Sequence, residues 1–180
     1  MKGANINMTD KEFATFAMAL KTYYPRENLL PNDKAMELWF RQLQDIPFKV
    51  AEIGLQKWVS LNKWSPSIAD IREMASTITK GELPDWGDAW QEVQRAIRCY
   101  GSYRADEALE SLSPLARKAT ERIGFTNICM SESPEASRAN FRMIYESLAD
   151  REKRDAQIPE SVKIMIGQIQ NKMIEAKEVK

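Results

Sequence analysis

Along most of the chain, apolar residues recur at intervals of three and four rather than two, and that spacing predicts helices throughout. The first stripe is Phe13, Phe16, Ala17 and Leu20. Thr9 precedes it with Glu12 three residues on, a pair that can satisfy two backbone N–H groups at a helix start, and Tyr23-Tyr24-Pro25 marks its end. Asn32 or Asp33 can cap a second helix bearing Met36, Trp39, Phe40 and Leu43. Pro47 predicts a break and the first position of a third helix, with Val50, Ile53, Leu55, Trp58 and Val59 as its apolar positions. Ser67 followed by Asp70 sets the next N-terminus, and periodicity lapses from Thr77 to Pro84, where a boundary is expected.

The second half repeats these devices. Asp85 caps a stripe of Trp86, Ala89, Trp90, Val93 and Ile97, and short helical material is expected from Ala105 to Leu109. Ser113-Pro114 opens a helix with Leu115, Ala119 and Ile123 inward and Gly124 as its stop. Ser133-Pro134 opens a long one with Ala136, Ala139, Phe141, Ile144, Tyr145 and Leu148 as apolar positions, fading between Arg151 and Asp155. Pro159 begins a last helix carrying Val162, Met165, Ile166, Ile169 and Met173. The expectation is an all-α protein: a small helical bundle over 8–80, a second helical domain over 84–155, and an amphipathic C-terminal helix over 157–180, free to move.

Composition narrows the function. Lys and Arg number 26 against 26 Asp and Glu, so the chain lacks the cation excess that coating a polyanion needs. With no His, the Ser-His-Asp, Cys-His and His-ligated metal plans are all removed. Cys99 and Cys129 have no CxxC spacing, in keeping with a reducing compartment. Residues 1–7 have no apolar h-region and no run of about 18 apolar residues occurs, so a soluble protein of the cytoplasm, with no membrane contact, is expected. Neither GxxxxGK[ST] nor GxGxxG is present, and the carboxylates sit singly. No catalytic residue, cofactor or metal ligand is therefore expected. The remaining enzymatic alternative is a carboxylate-only metal nuclease.

What remains is binding. Of five tryptophans, 39, 58, 86 and 90 fall on apolar stripes and read as core, whereas Trp64 lies in a loop and can face a partner. Val162, Met165, Ile166, Ile169 and Met173 form a Met/Ile face of the kind that docks into a partner groove, or else packs on its own chain or a twin. Arg95, Arg98, Arg104, Arg117, Lys118, Arg122, Arg138 and Arg142 are candidates for nucleic-acid or anionic-partner contacts, with acidic residues interspersed.

Two sets of motifs carry a family resemblance. Tyr23-Tyr24-Pro25, the Trp39 helix and Asn62-Lys63-Trp64-Ser65-Pro66-Ser67-Ile68-Ala69-Asp70-Ile71 resemble the replicative helicase loader/inhibitor proteins of phages infecting Gram-positive bacteria, over roughly 8–80. Leu83-Pro84-Asp85-Trp86, Tyr100-Gly101, Leu112-Ser113-Pro114, Ile123-Gly124 and Phe141-Arg142-Met143-Ile144-Tyr145-Glu146 are similar to an extension found in phage and prophage replication proteins of this type. The resemblance implies a small helical, non-enzymatic adaptor. It would bind the hexameric DnaB-type helicase, hold it inactive and help deliver it to an origin marked by a phage initiator, with weak or no direct DNA binding. In such proteins the helicase contact is associated with the C-terminal part; the long, well-patterned second half is a departure. The alternative is a helical DNA-binding replication organiser using the arginines between 95 and 142.

Overall fold

Thr9 and Glu12 close the start of the first helix reciprocally: the Thr9 N–H donates to the Glu12 carboxylate at 2.8 Å, and the Glu12 N–H to Thr9 Oγ1 at 3.3 Å. The same device recurs at Ser67 and Asp70, and each cap contributes about 1 kcal/mol. In this computed structural model, which describes residues 7–178 and side chains as far as Ile174, ten helices and no strand occur among the described residues. The all-α expectation holds. No described helix is long and apolar enough to cross a membrane. The chain divides into two compact units, one running to Glu82 and resuming at Asp155, the other spanning Leu83–Arg154.

The first unit contains α1 (Asp10–Tyr23), α2 (Asp33–Leu43), α3 (Phe48–Leu61) and α4 (Ile68–Lys80). Phe13, Phe16, Leu20, Leu43, Leu55 and Ile71 are buried together, each worth about 1.5–3 kcal/mol on leaving water. Phe40 joins them from α2, its ring 5.4 Å from that of Phe13. Helices α3 and α4 approach closely at Gly54, where an added Cβ would stand 3.2 Å from Met74 Cβ. This corrects the sequence reading of α3: Ala51, Gly54 and Leu55 form its buried face and Ile53 is exposed, because small residues admit the neighbouring helix. Pro47 is the N-cap rather than the first helical residue. Helix α4 also persists through Thr77–Lys80, where the periodicity lapses, ending at Gly81 with φ +82°. Leu30 takes φ +52°, a strained value for a branched side chain, and its side chain is buried in this core.

The second unit comprises α5 (Trp86–Tyr100), α6 (Ala105–Glu110), α7 (Pro114–Ile123), α8 (Phe125–Cys129) and most of α9 (Pro134–Gln157). Asp85 caps α5 through the Asp88 N–H at 3.0 Å. Trp90, Phe141 and Tyr145 stack in its core with centroids 5.2 and 5.7 Å apart, and the Tyr145 hydroxyl donates to Pro84 O at 2.8 Å. Burial, with the nearby Glu92 and Asp85 carboxylates, pushes the Tyr145 phenol up to about 12. Two expectations for α9 are corrected. Ala136 and Ala139 are exposed and Ser137 is buried instead, its hydroxyl bonded to Ser131 Oγ at 2.8 Å. Rather than fading at 151–155, the helix continues to Gln157.

Candidate partner-binding surface

Arg72 lies on α4 between Ile71 and Ala75, with only 6% of its surface exposed. A guanidinium held there needs acceptors, and the first unit supplies them. Its Nη1 donates to Gln42 O at 2.7 Å and Asp45 Oδ1 at 2.6 Å, and its Nη2 to Asp45 Oδ2 at 2.8 Å and Ile158 O at 3.3 Å. Asp45 Oδ2 also accepts the Glu160 N–H at 3.2 Å. Gln157 Nε2 donates to Glu73 at 3.3 Å, and Pro159 is buried. Burial alone would push the Asp45 carboxyl up, but the bonds from Arg72 and Glu160 and the guanidinium charge outweigh it, holding the group below the usual carboxylate range. Sequence reasoning missed this anchor. The available signal was an arginine on the apolar face of α4, facing the buried side of the unit.

Beyond the anchor runs α10 (Glu160–Glu178). Of the stripe named from sequence, Val162 is half-buried, while Met165, Ile166, Ile169 and Met173 are exposed at 52, 42, 59 and 59%. Ile164 and Ile174 are exposed too. The structure thus brings the stripe together on one helix and leaves it uncovered by the described chain. Trp64 is presented differently. Trp58 Nε1 donates to Trp64 O at 2.8 Å, and the Ser65 hydroxyl donates to Glu27, so the backbone is held while the indole is 78% exposed. Another surface went unread in the sequence: Ala14, Ala17, Met18, Lys21, Thr22 and Met36 line an open, largely apolar depression between α1 and α2, with Met18 protruding.

The arginines of the second unit do not form one free patch. Arg104 lies over the Tyr100 ring and donates to Cys99 O at 2.8 Å, Arg117 pairs with Glu121 at 2.8 Å, and Arg142 pairs with Glu146 at 2.8 Å. Arg138 and Arg142 both stack on Trp86, 5.2 and 5.0 Å from its centroid. Arg95, Arg98, Lys118 and Arg122 make no ion pair among the described residues. Cys99 is exposed, and burial pushes the Cys129 thiol up, away from the thiolate that nucleophilic chemistry requires. Among the described residues no group of His, Cys, Asp and Glu could hold a metal ion.

Helices α1 to α4, the anchor on α4 and the exposed apolar surfaces are those of an all-α protein equipped to meet a partner. Residues 8–72 match the family model for the N-terminal domain of the phage SPP1 helicase loader/inhibitor, so the first unit carries the N-terminal domain of that family. The family serves replication as a helicase loader or adaptor, is not a known enzyme family, and implies interaction with a replicative helicase. No curated protein sequence matches the chain, and no solved structure does.

Proposed function

We propose that the protein is a non-enzymatic replication adaptor of the bacterial host cytoplasm that binds the hexameric DnaB-type helicase, holds it inactive and helps load it at a phage origin, with a phage initiator as second partner. The observation that carries this reading is the loader/inhibitor N-terminal domain over 8–72. The uncovered stripe of Val162, Met165, Ile166, Ile169 and Met173, with Trp64, supplies the contact surface. Free energy comes from binding: the adaptor shifts the helicase between states only by preferring one of them. The test is co-elution of the full chain with a purified DnaB-type helicase in size-exclusion chromatography. A complex of fixed stoichiometry is expected, and two independent peaks at micromolar concentration overturn the reading.

A further inference from the structure

Among the described residues, helix α10 is anchored at its start, where Arg72, Asp45 and Glu73 hold residues 157–160; beyond Lys163 its large apolar side chains are open to solvent. The apolar positions are not scattered. Val162, Ile166, Ile169 and Met173 follow at steps of four, three and four, the a/d alternation of a coiled-coil seam, over about 16 Å of helix. Met165 borders the seam. A seam with this alternation fits the knobs-into-holes packing of another helix better than it fits a flat surface.

The charges on either side select the kind of helix. Between Ser161 and Ile174 the charged residues are Lys163 and Lys172, both positive, and heptad spacing puts one on each flank of the seam. Two copies of α10 side by side would therefore offer no opposite-charge pair across this stretch in either orientation. A lipid surface is also poorly served, because the remaining polar face is Gln168, Gln170 and Asn171, without the cations or aromatics of an interfacial helix. We infer that α10 is one strand of a heterotypic coiled coil whose other strand is an amphipathic helix with Asp or Glu flanking its apolar seam, carried by the helicase partner. This rests on the adaptor reading and names the chemistry its target must have.

Gly167 supports a preorganisation test. It lies within α10 away from the seam, and an added Cβ would meet nothing within 4 Å. Gly167→Ala should favour the helical form without touching the contact.

The experiment measures affinity of the full chain and its variants for a purified DnaB-type helicase across a salt series. Ile169→Asp should abolish binding, Lys172→Glu should weaken it about three- to tenfold, Gly167→Ala should strengthen it a few-fold, and wild-type binding should weaken as salt rises. If Ile169→Asp abolishes binding while Lys172→Glu changes nothing, the acidic strand is wrong and the adaptor reading stands. Full binding by Ile169→Asp removes α10 as the contact. No binding by the wild type overturns the adaptor reading itself. A wild-type dimer in sedimentation equilibrium that Ile169→Asp dissociates assigns α10 to a second copy instead. Binding to anionic phosphatidylglycerol vesicles lost in Lys172→Glu assigns it to membrane. Either outcome overturns the inference.

Discussion

Arg72 grips Asp45 with two hydrogen bonds of 2.6 and 2.8 Å, one to each carboxylate oxygen, and the same carboxylate takes the N–H of Glu160. One ion pair thus fixes α4, the turn after α2 and the start of α10. A buried pair of this kind is weak evidence for net stability, but breaking it from one side strands a charge. Arg72→Ala should destabilise the first unit by about 2–4 kcal/mol, toward the lower part of the range for fully buried pairs because Asp45 retains some exposure. Urea unfolding followed by circular dichroism checks this, and a change below about 1 kcal/mol would remove the pair from its structural role.

The same pair sets an acid limb. Because the folded Asp45 carboxyl is held low, its contribution is complete above the unfolded value of about 4 and is lost as pH falls through the depressed folded value. Stability measured from pH 6 to pH 2 should fall less steeply in Asp45→Asn than in the wild type, from a lower starting point at neutral pH.

Tyr145 works at the other end of the scale. Its folded phenol is raised to about 12 against an unfolded value near 10, so the neutral form stabilises the second unit fully below about pH 10 and that contribution disappears as pH climbs toward 12. Tyr145→Phe should lose the alkaline loss of stability while surrendering about 1 kcal/mol at neutral pH with its bond to Pro84 O. Alkaline unfolding, monitored alongside tyrosinate absorbance, reads both.

Glycine substitutions should diverge by position. At Gly124, φ is +90° and a Cβ would lie 2.8 Å from Asn127 Nδ2, so Gly124→Ala should cost about 1–2 kcal/mol in thermal unfolding. Gly167→Ala should be neutral to stabilising by up to about 1 kcal/mol.

Truncation can separate anchor from contact. Ending the chain after Lys163 keeps Ile158 O and the Glu160 N–H on their partners, so the first unit should stay folded while helicase binding is lost. Ending it before Gln157 removes the acceptor and donor that Arg72 and Asp45 use, and should lower the melting temperature as well. Equal melting temperatures for the two truncations would contradict the anchor.

The features legible in the sequence are those whose partners lie within one helical turn. Thr9 with Glu12, Ser67 with Asp70, Asp85 and the stripe from Phe13 to Leu20 declare themselves through i,i+3 and i,i+4 spacing, and the helical class follows from them. Features that depend on another element do not. Gly54 is buried because α4 comes to it, Ile53 is exposed for the same reason, and Ser137 is buried because Ser131 supplies a partner. Arg72 and Asp45 are ordinary charged letters until folding brings α2 and α4 together. Helix α8, five residues long, is too short for periodicity to mark. Within the candidate surface, the stripe on α10 was readable because it lies on a single helix. The anchor that holds its first turn was not.

The central claim concerns the helicase, and its ATPase reports on it most directly. With a purified DnaB-type helicase and a saturating amount of the full chain, ATP turnover should fall to a small fraction of its free rate, and Ile169→Asp should restore it. Unchanged turnover at saturating protein, with the complex verified by co-elution, would contradict the inhibitory adaptor.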